Sequence, residues 1–104
     1  MEVMFKTPKM KRICEEHKKL QVQYGQQAKI IIQRINELIA ADHLYDIFAL
    51  PQTGFHKLTG NYKDCFTVNL KHPFRMIFIA RNGVMSDLKS INSIEITEIC
   101  TNYH

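Results

Sequence analysis

His56 and Lys57 stand side by side in a short segment, 55–58, that reads as a strand. An imidazole gives and takes protons near neutral pH, and an ammonium beside it is a fixed positive charge. The pair suits acid–base work next to a phosphate, although an exposed edge strand with two soluble side chains is the plainer reading. Arg75 interrupts the apolar run Phe74-Arg75-Met76-Ile77-Phe78. An unpaired charge in such surroundings is strongly destabilising, so one of two arrangements is expected. Either the guanidinium makes a salt bridge to Glu95 or Glu98, or its fork meets a phosphate in a cleft. The last two residues, Tyr103 and His104, offer an aromatic for base stacking and a further imidazole, in a position that also reads as a frayed end.

Between residues 55 and 81 there are five Lys/Arg (Lys57, Lys63, Lys71, Arg75, Arg81) against one acid, Asp64. The excess in this segment equals the formal net charge of the whole chain, +4. A small twisted sheet displaying Lys, Arg and His suits an anionic partner, and RNA is the first to test. Lys63, Lys71 and Arg81 are candidates for phosphate contacts, which position RNA without reading its bases. Asn61, in a Gly60-Asn61 turn, and Asn102 are further candidate RNA contacts.

Other chemistries find less support. Cys14, Cys65 and Cys100 are odd in number and form no Cys-x-x-Cys pair; free thiols in a reducing compartment are expected. The Cys and His positions lack zinc-ligand spacing, and no phosphate-binding, dinucleotide-binding or nucleophile-elbow motif is present, so no metal or cofactor is expected. His17 and His43 read as surface or packing residues and His72 as a turn residue. The first residues lack the apolar core of a signal peptide, and no run reaches the length of a membrane span; a cytoplasmic protein without membrane contact is expected. With 104 residues, 45% of them apolar, the chain is read as one domain, 1–104, with a modest core.

The elements that must carry these side chains follow from periodicity. Residues 1–5 read as a strand. Thr7 and Pro8 are an N-cap and a first helical residue. A helix is predicted over 9–24, with Met10, Ile13, Cys14, Leu20 and Tyr24 inward, and Gly25 closes it. A second helix over 26–41 carries one apolar stripe of Ala28, Ile31, Ile32, Ile35, Leu38 and Ile39. The two form a hairpin on one face of the strands downstream. Residues 42–54 read either as a short helix ended by Pro51 or as an extended crossing. Strands are predicted over 55–58, 65–70, 74–80 and 91–100, the third covered on both faces. The expected fold class is α+β with a mainly antiparallel sheet.

Taken in order, Phe48-Ala49-Leu50-Pro51, Phe55-His56-Lys57-Leu58-Thr59-Gly60-Asn61, Phe74-Arg75-Met76-Ile77-Phe78 and the closing Glu98-Ile99-Cys100-Thr101-Asn102-Tyr103-His104 resemble the HigB-type plasmid-maintenance killer proteins of the RelE/ParE toxin superfamily. The resemblance spans nearly the whole chain, including Tyr24-Gly25. It implies a compact RelE-like domain acting as a ribosome-dependent endoribonuclease on translated mRNA, restrained by a helix-turn-helix, HigA-like antitoxin. Carried over by position, His56 and His104 are the acid–base candidates, Lys57 and Arg75 bind the phosphate and transition state, and Tyr103 stacks on a base. Where such chains commonly end Asp-Tyr-His, this one has Asn102, and an amide only partly replaces a carboxylate. The rival readings are a ParE-like toxin directed at gyrase and a catalytically weakened module that binds RNA or antitoxin.

Overall fold

The computed structural model describes residues 1–102. Its elements are β1 (Glu2–Phe5), α1 (Pro8–Glu15), α2 (His17–Tyr24), α3 (Ala28–Ala40), α4 (Leu44–Phe48), β2 (His56–Lys57), β3 (Cys65–Asn69), β4 (Phe74–Ala80) and β5 (Ser93–Asn102). The strands form one sheet in the order β1-β5-β4-β3-β2, with β1 parallel to β5 and the remaining pairs antiparallel. This is the expected α+β class, with its one parallel pair at an edge. No helix among the described residues is long and apolar enough to cross a membrane.

The helical layer starts where the sequence places it: the Thr7 hydroxyl accepts the Met10 amide at 3.1 Å and Pro8 opens α1. The single helix predicted over 9–24 is two helices, because Glu16 is extended (φ −114°, ψ 110°). The run Glu15-Glu16-His17-Lys18-Lys19 offers no apolar side chain to hold that turn against the sheet. At Gly25 the backbone takes φ 53°, ψ −119°, a region open to glycine alone, and its amide caps α2 on the Gln21 carbonyl. Ala28, Ile31, Ile35 and Leu38 of α3 are buried as the stripe predicts, whereas Ile39 is 54% exposed and Arg34 is buried in its place. The ambiguous 42–54 segment resolves into α4, with Leu44 and Ile47 fully buried, and a 3-10 turn at Pro51–Thr53.

The core lies between this layer and one sheet face, where Phe66, Val68, Met76, Phe78, Ile94 and Ile96 meet the α3 stripe. The Gln27 side chain fastens the hairpin to the β3–β4 turn, accepting the Lys71 amide at 2.9 Å and donating to the Lys71 carbonyl at 3.0 Å. β4 is central, as predicted, but only its middle residues, Met76, Ile77 and Phe78, are buried on both faces. Leu58 and Ile77 are buried apart from the main cluster. There the loop between β2 and β3 folds over the second face, and the Tyr62 hydroxyl donates to Glu98 at 3.1 Å.

Candidate functional site

Partnered residues of antiparallel strands share a face, so the register places the predicted side chains directly. His56, Thr67, Ile77 and Glu98 form one row across β2, β3, β4 and β5, and Asn69, Arg75 and Thr101 form the next. Both rows lie on the face away from α3. His56 and Arg75 are therefore brought together, two strands across and one residue pair along, with Cα atoms on the order of 12 Å apart by strand spacing. Lys57, partnered with Phe66, projects by alternation to the other face of the edge strand.

Arg75 adopts neither salt bridge considered for it. Glu95 pairs with Arg81 at 3.3 Å, and Glu98 accepts from Tyr62 at 3.1 Å and from the Thr101 hydroxyl at 2.7 Å. Arg75 instead donates from Nη1 to Asn69 Oδ1 at 2.5 Å, and it forms no ion pair with a described residue. A recess of about 100 Å³ opens beside it, lined by Asn69, Leu70, His72, Pro73, Phe74 and Arg75. The guanidinium is held in place by a neutral partner.

Three features build that hold. Arg34, 6% exposed, donates Nε to the Asn69 carbonyl at 2.8 Å and Nη2 to the Gln52 carbonyl at 2.7 Å, while its Nη1 meets Glu37 at 2.8 Å. It locks the end of β3 to the 51–53 turn. Gly54 follows that turn at φ +59°, and a Cβ there would lie 1.9 Å from Asn69 Nδ2; glycine leaves room for the amide that grips Arg75. The Gly54 carbonyl in turn lies 3.0 Å from His56 Nδ1. A carbonyl only accepts, so Nδ1 carries the proton in the neutral ring and Nε2 keeps a lone pair. β5 adds an irregularity: register shifts between Arg75 and Ile77 and between Ile77 and Phe78 bring Glu98 and Thr101 to one face although they are three residues apart.

The other predicted residues are spread around this core. Asn61 and Lys63 are exposed at the turn of the β2–β3 loop, and Lys71 is exposed in the β3–β4 turn. Arg81 follows β4 at its far end, roughly 20 Å along the strand from Arg75. Asn102 is partnered with Phe74, so Thr101 takes the place beside Arg75. Tyr103 and His104 lie outside the described residues. Asn69, Tyr62, Glu98 and Arg34 were not read from the sequence as site residues. Asn69 carried one usable signal, a polar side chain alternating with apolar ones in a strand paired to the strand of Arg75.

Burial, with the charge of Glu15 behind it, pushes the Cys14 thiol up to about 11. Burial also raises the Cys65 and Cys100 thiols and the Tyr24 phenol. All three cysteines are free. No group of three or more His, Cys, Asp or Glu among the described residues is arranged to hold a metal ion.

No family model matches the chain, and no curated protein does. A solved structure, described as a YoeB/ParE toxin from Agrobacterium tumefaciens, is similar to it along the full length of both chains, with a TM-score of 0.51 and 12% sequence identity. The likeness is one of fold: a small α+β domain with its helices on one face of a five-stranded sheet.

Proposed function

We propose that this chain is the toxin of a toxin–antitoxin pair, a HigB-like member of the RelE/ParE superfamily, and that it cuts translated mRNA in the cytoplasm while docked on the ribosome. The observation that carries the reading is Arg75: a cation within a strand, held by neutral Asn69, facing the same side as His56, with the nearby acids Glu95 and Glu98 engaged elsewhere. A protein that used Arg75 only for its own stability would gain more from a carboxylate partner.

RNA cleavage without a metal removes the 2′-OH proton as O2′ attacks phosphorus, and breaks the P–O5′ bond as O5′ takes up a proton. The products are a 2′,3′-cyclic phosphate and a free 5′-hydroxyl. His56, with Nε2 unprotonated, accepts the first proton, and His104 supplies the second. Arg75 meets the charge that grows on the phosphoryl oxygens, where one fixed donor is worth about 2.7–4 kcal/mol on the oxyanion-hole scale. Tyr103 stacks on a base. Lys57, on the edge strand, contacts a neighbouring phosphate, and Lys63 and Lys71 with Asn61, Asn102 and Arg81 extend the track. Arg81 must exchange its ion pair with Glu95 to take part, which is inexpensive at an exposed site. A helix-turn-helix, HigA-like antitoxin is the protein partner.

The description of the structural relative also carries the name ParE, and it favours one second reading, a toxin that binds gyrase. Induction in bacteria separates the two. Primer extension should show cuts confined to translated mRNA, and Arg75→Ala should relieve growth arrest. Intact mRNA with DNA damage, and an undiminished Arg75→Ala variant, would replace the endoribonuclease reading with the gyrase one.

A further inference from the structure

The charge of the chain is not all at the sheet. From Lys6 to Lys29 there are seven Lys/Arg against two acids, Glu15 and Glu16, a larger excess than in the 55–81 segment. The break at Glu16 sets α1 and α2 as separate rods, and a cleft of about 470 Å³ opens on them, lined by Lys9, Arg12, Ile13, Lys18, Lys19 and Val22. Lys9, Arg12 and Lys18 form no ion pair with a described residue. Lys19 pairs with Glu16 at 2.8 Å between half-exposed side chains, a contact worth little in water. Val22 is 88% exposed in the same place. One exposed valine is ordinary, but a valine and an isoleucine lining a cleft rimmed by four cations are a mixed surface with two demands.

We propose that the α1–α2 cleft is a docking groove for an acidic segment of a partner protein, which inserts an apolar side chain against Ile13 and Val22 while its carboxylates meet Lys9, Arg12 and Lys18. RNA answers only the second demand. Its phosphates would satisfy the cations, but among the described residues no aromatic ring lines the cleft to stack on a base, and a phosphodiester gains nothing from covering valine and isoleucine. An acidic amphipathic helix answers both, with apolar anchors at i and i+4 laid in the groove. Met10, Cys14 and Leu20 pack the inner side of this helix pair toward the core, so the sheet stands between the groove and the His56–Arg75 face. The groove is therefore independent of the proposed RNA chemistry.

The test is a titration of the full chain, followed by amide and methyl chemical shifts, with three probes: a short helical peptide bearing glutamates on one face and leucines at i and i+4, a polyglutamate of equal length, and a single-stranded RNA. The amphipathic peptide should bind about tenfold or more tighter than polyglutamate, with the largest shifts at Ile13 and Val22. Val22→Asp and Lys18→Glu should each weaken it about tenfold. Both residues are exposed, so circular dichroism and melting of the two variants should match the parent. Equal binding of the two peptides, shifts centred away from Ile13 and Val22, or RNA binding there more tightly than the peptide would each overturn the proposal.

Discussion

Arg75 and Asn69 pose a question of charge at the level of single residues. An amide oxygen orients a guanidinium without neutralising it, whereas a carboxylate in the same place would do both. Asn69→Asp should therefore leave the protein at least as stable while lowering mRNA cleavage on ribosomes by about 10²–10³-fold, similar to Arg75→Ala, because either change removes free positive charge from the transition state. A stable Asn69→Asp variant that cleaves at the parent rate would remove Arg75 from the reaction. The pairing behind this prediction was only half legible. His56 and Arg75 stand out in the sequence because a titratable residue beside a lysine and a charge inside an apolar run are visible one residue at a time. Asn69 became their companion through strand register, which no local pattern carries. The cysteines give a test with a defined sign. With Cys14 at about 11 against an ordinary 9.0, its alkylation by iodoacetamide should be slowest of the three at neutral pH and rise tenfold per pH unit toward 11. The unfolded chain ionises this thiol first, so its contribution to stability is complete below pH 9 and is lost as pH climbs through about 11. A parent midpoint that falls no more steeply across that window than that of Cys14→Ala would contradict the assignment.

The elements position the site through a few strained or buried joints, and these were the least legible part of the fold. The α3 stripe, the Thr7-Pro8 start, the Gly25 stop and the central β4 all follow from periodicity and capping, which are local. The break at Glu16 and the two register shifts of β5 depend on what the neighbouring element demands, and Arg34 hides within a stripe whose other members are apolar. Arg34→Met keeps the volume and apolar character of α3 but leaves the Asn69 and Gln52 carbonyls and the Glu37 carboxylate without their donor. Breaking such a buried pair should destabilise by about 3–5 kcal/mol, read by urea denaturation; a loss below about 1 kcal/mol would mean that water satisfies these groups instead. Gly54→Ala acts at the next joint. The φ of +59° alone costs about 1–2 kcal/mol for a residue with a Cβ. The added methyl must also push the Asn69 amide off Arg75. Cleavage should fall further than the stability change accounts for, and parallel losses in the two measurements would show that Asn69 relaxes freely.

At the scale of the whole molecule the sheet is a partition. One face is engaged with α3 and the core, and the other carries His56, Asn69, Arg75, Glu98 and Thr101, with the β2–β3 loop folded over part of it. That division explains why the fold class was readable from apolar patterning while the site was readable only in part: the core face writes a continuous signal into the sequence, and the open face writes scattered polar residues. It also makes the last two residues a clean test. A chain terminus rarely carries the core, so deleting Tyr103 and His104 should leave the melting temperature within the few degrees that about 1 kcal/mol represents. On the proposed mechanism the same deletion removes the proton donor for O5′ and the stacking aromatic, and cleavage of translated mRNA should fall at least as far as general acid catalysis contributes, about 10²–10⁴-fold. Adding His104→Ala and Tyr103→Ala as single changes divides that loss between proton transfer and stacking. The His104→Ala variant should be the one whose cleavage no longer falls with rising pH on the alkaline side, because a general acid acts only while protonated. A truncated chain that melts normally and still cuts mRNA would leave His56 and Arg75 to work with a different acid, and Glu98, three residues before Thr101 on the same face, would be the first to replace with Gln.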